Sequence, residues 1–204
     1  IISDFPLKWT VKSMGPLYHK GINAVVTNQK IIPAYLLEPK VKSRSRIHYM
    51  MANLEVSKYK GENNWALLTD PDGFIAEGTG SNFLIVKNNQ LISPEPRNIL
   101  RGISLDYVKK IAKEIDLPYI EKNIEPYDVM FADEAFMTGT PFCLLPVTSI
   151  NGKKIGNGKM GSTTKKILDL WSEKVNLKID KQIISWFKKG EKGVTPYKVI
   201  RSKK

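Results

Sequence analysis

Cysteine and histidine are nearly absent from the chain. Cys143 is the single thiol, and His19 and His48 are the only imidazoles among 204 residues. One thiol excludes an internal disulfide framework, and no Cys/His spacing of the zinc-binding kind is present. Each histidine reads as a surface or interface residue. No apolar run is long enough to span a membrane, and no charged-then-apolar leader opens the chain. Together these features fit a reducing, cytoplasmic compartment. A P-loop and a GxSxG elbow are missing as well, which removes two common routes to phosphoryl and acyl transfer. The chain opens Ile1-Ile2-Ser3 without a methionine. Its first 40 residues carry strand-like runs but no helix to cover them, which reads as a chain cropped from a longer one.

Positive charge is what the chain has in excess, with a formal net charge of +12. Part of it is concentrated at the end, where nine Lys/Arg from Lys178 to Lys204 stand against Asp180 and Glu191, with Trp186, Phe187 and Tyr197 interleaved. A solvated lysine-rich surface explains this, and so does a nucleic-acid footprint. No helix-turn-helix, zinc-finger or RNP pattern accompanies the charge.

Hydrophobic periodicity gives a mixed order of elements. Residues 22–27 are β-branched and strand-like. Ile47, Met50, Met51 and Leu54 recur at helical spacing, which predicts an amphipathic helix over 46–59 with Gly61 beyond its end. A meander follows: Trp65–Thr69, a turn at Asp70-Pro71-Asp72-Gly73, Phe74–Glu77, a glycine-rich bend, Asn82–Lys87 and Leu91–Ser93. Leu105, Val108, Ile111, Ala112 and Ile115 line one face of a second helix over 103–115. Residues 119–124 are extended, and a short helix near 126–131 precedes strands over 134–138 and 144–150. Asn151-Gly152 is the strongest hairpin turn in the chain. Ser162-Thr163-Thr164 is placed to cap a third helix, and a last short helix is expected around Gln182–Lys188. There is no strict βαβ rhythm and no internal repeat, so the fold class is α+β, a mixed α/β barrel-like sheet rather than a doubly wound one.

Taken singly, the candidate functional segments are ambiguous. Glu77-Gly78-Thr79-Gly80-Ser81-Asn82 permits a tight bend with polar groups facing inward, but an ordinary β-turn does the same. Leu100-Arg101-Gly102-Ile103-Ser104 leads into a helix whose first N–H groups are free to hold an anion, or it is a plain helix start. Thr138-Gly139-Thr140 ends a strand with two hydroxyls. Lys42 is one lysine among many.

Taken together and in order, these segments resemble the class IV aminotransferases, the family of branched-chain and D-amino-acid aminotransferases and aminodeoxychorismate lyase. The resemblance rests on Val41-Lys42-Ser43 before a helix, Phe74–Phe83, Ile99–Ser104 and Ala132–Thr140 followed by Pro146-Val147, and it spans about residues 20–171. It implies a pyridoxal 5′-phosphate enzyme that moves an amino group between an amino acid, branched-chain L- or D-, and a 2-keto acid. The lyase and the non-enzymatic nucleic-acid binder stay as alternatives. It also implies a homodimer, with residues 1–35 as the end of a small N-terminal domain and the interdomain link. Residues 36–204 would then be the large cofactor-binding domain with its basic tail. The family arginine that grips the phosphate would fall before residue 1.

By the same resemblance, Lys42 matches the lysine that joins the cofactor as an imine and then carries a proton at the substrate α-carbon. Glu77 matches the acid that pairs with the pyridine nitrogen. Leu100 would pack on a face of the ring. The N–H groups of Ile103 and Ser104 and the hydroxyl of Thr140 would hold the phosphate. Two stretches depart from the family pattern. Pro141-Phe142-Cys143 follows Thr140 where relatives have small residues and a glutamate. Pro141 has no N–H for a substrate carboxylate, and Phe142 either narrows the pocket or packs in the core. Ser43-Arg44-Ser45-Arg46 is more basic than in relatives, so Arg44 or Arg46 either binds a carboxylate or faces solvent or a partner.

Overall fold

Proline and glycine punctuate the entry to the fold. A computed structural model describes residues 6–43, 45–61 and 63–187. Arg44 and the basic stretch beyond Phe187 lie outside them. After Pro6 come helix α1 (Leu7–Val11), a 3-10 turn (Lys12–Met14) and helix α2 (Leu17–Lys20). This corrects the expectation that no helix covers the first 40 residues. Each piece is too short to show a helical period, because Gly15 and Pro16 interrupt the run. Their inward residues Val11, Met14 and Tyr18 are buried.

The remaining elements follow the sequence pattern closely. They are β1 (Ile22–Lys30), α3 (Ile47–Val56), β2 (Asn64–Thr69), β3 (Ile75–Gly78), β4 (Asn82–Lys87) and β5 (Gln90–Ser93). After a 3-10 turn (Pro96–Asn98) come α4 (Ile103–Glu114), β6 (Tyr119–Glu121), α5 (Pro126–Met130), β7 (Glu134–Gly139), β8 (Cys143–Ile150), β9 (Lys153–Lys154), α6 (Ser162–Lys174) and α7 (Ile179–Trp186). Two turns owe their shape to residues that tolerate positive φ. Asn88 and Asn89 (φ 49° and 56°) join β4 to β5, and Asn151 and Gly152 (φ 48° and 81°) join β8 to β9.

The strands run in the order β3-β2-β1-β8-β7-β4, and β4 pairs back onto β3, closing a six-stranded ring. β1 is parallel to both β2 and β8. The other four pairs of the ring are antiparallel. β5 and β6 extend the sheet from the far end of β4, and β9 extends it from β8. The α+β class with a barrel-like sheet is therefore the observed fold. β1 lies inside the ring, between β2 and β8.

Phe83, Phe136, Leu67, Leu84 and Met137 are among the largest fully buried side chains. Each contributes roughly 1.5–3 kcal/mol through removal from water. α3 packs on β1 and β2, while α4 and α6 pack on one another and on β7. The buried face of α3 is not the one its apolar spacing suggests. Ala52, Asn53 and Val56 face inward, and Ile47, Met50 and Met51 are exposed. At α6 no side chain of Ser162 caps the helix. Glu134 of β7 instead accepts the N–H groups of Thr163 (2.9 Å) and Thr164 (2.7 Å).

Candidate active site

Strand pairing brings Glu77 and Asn82, neighbours across one bend, together with distant Thr138 at one end of the ring. Glu77 near the end of β3 pairs with Asn82 at the start of β4, and Asn82 pairs with Thr138 of β7. A cavity of about 400 Å³ opens there, within the usual range for small-ligand sites. Lys42, Glu77, Leu100, Ile103, Ser104 and Thr140 all line it. Lys42 is exposed on the rim, Thr140 is exposed at the tip of the β7–β8 turn, and Leu100 is half-buried. Ser104 is buried in the first turn of α4, whereas the Ile103 side chain is 85% exposed.

Glu77 is the electrostatic centre. It is 6% exposed. One carboxylate oxygen accepts the Tyr49 hydroxyl at 2.5 Å, and the other accepts the Leu100 N–H at 3.0 Å and the Asn82 amide at 3.4 Å. Burial pushes its pKa up to about 7, against the opposing pull of Tyr49, the Leu100 amide and the charges of Arg46 and Lys42. The Asn82 amide also donates to the Leu100 carbonyl at 2.7 Å, so both polar groups of the Leu100 backbone are fixed beside Glu77. Gly102 makes this approach possible, because a Cβ there would stand 2.4 Å from the Asn82 side-chain oxygen. The segment is tied again through Asn98, whose amide donates to buried Asp70 at 2.9 Å.

Beyond Gly102 the chain enters α4, whose first backbone bond runs from the Asp106 N–H to the Gly102 carbonyl at 3.0 Å. The N–H groups ahead of it have no acceptor within the helix and carry the positive end of its dipole. The same wall carries Lys40, Lys42, Arg46 and Arg101 against Glu38 and Glu77. That surplus of cations suits an anionic ligand.

Some residues stand where the sequence did not point. Tyr49 received no role from spacing or motif, yet it holds Glu77. His48, expected at a surface or interface, lines the cavity with its ring 4.1 Å from that of Tyr49. Partial burial and the Arg46 charge lower its pKa. Arg46 also lines the cavity, with its Nε donating to the Ser43 carbonyl at 2.6 Å and its guanidinium 5.6 Å from the Tyr49 ring. Phe142 takes the core-packing alternative. It is 3% exposed and meets Trp65 edge-on at 5.7 Å. Among the described residues no group of His, Cys, Asp and Glu is placed to hold a metal ion, and no helix is long and apolar enough to cross a membrane.

The sequence matches the family model Amino-transferase class IV over residues 2–150. The chain belongs to this family. Among class IV aminotransferases it is 37% identical over 154 residues to a putative branched-chain-amino-acid aminotransferase of Methanocaldococcus jannaschii, covering 75% of this chain and 53% of the relative. It is 30% identical over 169 residues to the branched-chain-amino-acid aminotransferase of Escherichia coli K12, covering 82% and 53%. The crystal structure of the T.th. branched-chain amino acid aminotransferase with pyridoxamine 5′-phosphate superposes with a TM-score of 0.73 at 28% identity, covering 78% of this chain and 52% of that one. The Thermobaculum terrenum enzyme in its PLP (holo) form gives a TM-score of 0.72 at 29% identity, covering 81% and 54%. The chain thus spans about half the length of the class IV relatives it matches.

Proposed function

We propose that this chain forms the pyridoxal 5′-phosphate site of an aminotransferase that moves an amino group between an amino acid, branched-chain L- or D-, and a 2-keto acid. The carrying observation is Glu77. A buried carboxylate, tied down by three donors, faces a cavity whose other walls supply a lysine and a helix N-terminus. Those groups fit the cofactor's needs for an acid at the ring nitrogen, an amine at the aldehyde and an anion cradle at the phosphate. When bound, pyridoxal 5′-phosphate supplies an electron sink for the carbanion at the substrate α-carbon.

The chain's own residues divide the remaining work. Glu77 holds a proton at the ring nitrogen. Tyr49 and the Leu100 N–H keep that carboxylate oriented, and the Leu100 side chain packs on a ring face. The N–H groups of Ile103 and Ser104 and the hydroxyls of Ser104 and Thr140 bind the phosphate. The Lys42 amine would hold pyridoxal 5′-phosphate at its aldehyde and, when free, would serve as the base that moves the substrate α-proton. The same reading makes the protein a cytoplasmic homodimer. Support comes from the lone cysteine and from the exposed apolar residues Tyr35, Leu36, Ile47 and Met50.

The visible spectrum with added pyridoxal 5′-phosphate, followed by borohydride reduction and peptide mapping, tests this directly. A yellow band with the reduced cofactor on Lys42 is the expected result. Label scattered over surface lysines, or no band, overturns it. Turnover without an added 2-keto acid would point to the lyase instead.

A further inference from the structure

Thr140 reaches the cavity from a three-residue turn, Thr140-Pro141-Phe142, with Gly139 paired to Cys143 across it. The Phe142 N–H donates to the Gly139 carbonyl at 3.3 Å, and Cys143 follows with a left-handed φ of 59°. A left-handed φ favours glycine or asparagine. A cysteine there needs outside support, and two hydroxyls provide it. Thr138 donates to the Cys143 carbonyl at 2.6 Å. Tyr18 of α2, separated by 124 residues, donates to the Phe142 carbonyl at 2.7 Å.

Tyr18 is 3% exposed and does not line the cavity. Burial raises its pKa far above the ordinary tyrosine range, with the nearby Cys143 and Asp180 adding to the rise. Its hydroxyl therefore remains a neutral donor at any working pH. Removing that hydroxyl leaves the ring in place, and the Phe142 carbonyl keeps the Leu144 N–H at 2.7 Å. The bond is thus a device for aiming the turn more than for holding the core.

We propose that Tyr18, acting with Thr138 on the turn carbonyls, is a positioning residue that aims Thr140 at the phosphate end of the cavity. The proposal rests on the cofactor reading above. It places the helical N-terminal segment in control of how tightly the barrel mouth holds a phosphate monoester.

The test compares the apparent affinities for pyridoxal 5′-phosphate and for pyridoxal, which lacks the phosphate, by spectral titration of the 204-residue chain. Tyr18→Phe is expected to bind pyridoxal 5′-phosphate roughly fivefold more weakly, the effect of about one hydrogen bond, with pyridoxal affinity unchanged. Thr140→Val should show a similar phosphate-selective loss. The double variant should lose no more than Thr140→Val, because the two act in series. Equal weakening toward both compounds, additivity with Thr140→Val, or no change overturns the proposal. Should Tyr18→Phe fail to fold, Thr138→Val probes the same clamp, and an undiminished preference for the phosphate form there overturns it too. If the wild-type chain binds pyridoxal at Lys42 as tightly as the phosphate form, this proposal fails while the cofactor reading stands. If neither compound labels Lys42, the cofactor reading fails and takes this one with it.

Discussion

Burial and ionisation pull Glu77 in opposite directions. A carboxyl buried in the barrel mouth prefers to be neutral, and its pKa rises from an ordinary 4.5 to about 7. The folded chain then binds the proton more tightly than the unfolded one. Glu77 therefore stabilises the cofactor-free fold most below pH 4.5, and that contribution drains away as pH rises toward 7. The loss amounts to about 3 kcal/mol across the window, from the pKa change alone. Glu77→Gln has no proton to lose there. Urea denaturation of the cofactor-free chain at pH 5 and pH 8 should show the variant gaining on wild type at the higher pH. A constant difference between them would mean that the carboxyl titrates normally. The same substitution should impair transamination far more than folding, since a neutral amide cannot balance a protonated ring nitrogen. Glu77 was legible in the sequence because it sits in a recognisable segment. Tyr49 was not, because its hydroxyl meets Glu77 only after α3 docks against the barrel, a contact 28 residues apart in the chain.

At the scale of elements, periodicity located nearly every long helix and strand, but it was a poorer guide to which face is buried and what caps each end. In α3 the apolar spacing marks Ile47, Met50 and Met51, which are exposed, whereas the sheet side holds Ala52, Asn53 and Val56. Small residues let the helix lie close to β1 and β2, a tertiary choice that no local pattern records. At the same helix, Glu55 accepts the Asn28 N–H at 2.9 Å and binds the strand edge. The α6 cap shows the same limit. A run of Ser162-Thr163-Thr164 promises a local cap, yet the acceptor is Glu134, about thirty residues earlier. Its carboxylate satisfies two first-turn N–H groups and faces the positive end of the helix dipole. Glu134→Ala should therefore destabilise the chain by about 1–2 kcal/mol, read as a lower midpoint in urea. Ser162→Ala should change little. If the two variants exchange places, the helix is capped locally after all.

Across the whole molecule, the ring closes through pairings that span most of the chain. β1 is the first strand made and yet sits between β2 and β8, so its second edge waits for residue 143 onward. Sequence reading found the meander, with β3 beside β4, but left the ring open, because closure depends on β1 joining β8 and β4 joining β7, neither of which local pattern encodes. The site depends on the same closure, since Thr138 of β7 reaches Asn82, the near neighbour of Glu77, only through the β4–β7 register. Gly21 is where the seam is most exposed to test. It ends α2 and turns the chain into β1 at φ 72°, and a Cβ there would lie 2.1 Å from the Thr148 methyl carbon of β8. The Thr148 hydroxyl donates to the Lys20 carbonyl at 3.1 Å, tying the end of α2 to β8 just before β1 begins. Gly21→Ala combines a disfavoured backbone conformation with a clash that neither strand can absorb, and each effect costs about 1–3 kcal/mol. The expected result is a loss of roughly 2 kcal/mol or more in urea, with faster amide exchange along β1 and β8 and slower change in the β4–β5 hairpin. Because β8 carries the Thr140 turn, pyridoxal 5′-phosphate affinity should fall in the same variant while the β4–β5 amides stay protected. Uniform loss of protection across all strands would show instead that the ring opens as a single unit rather than along the β1–β8 seam.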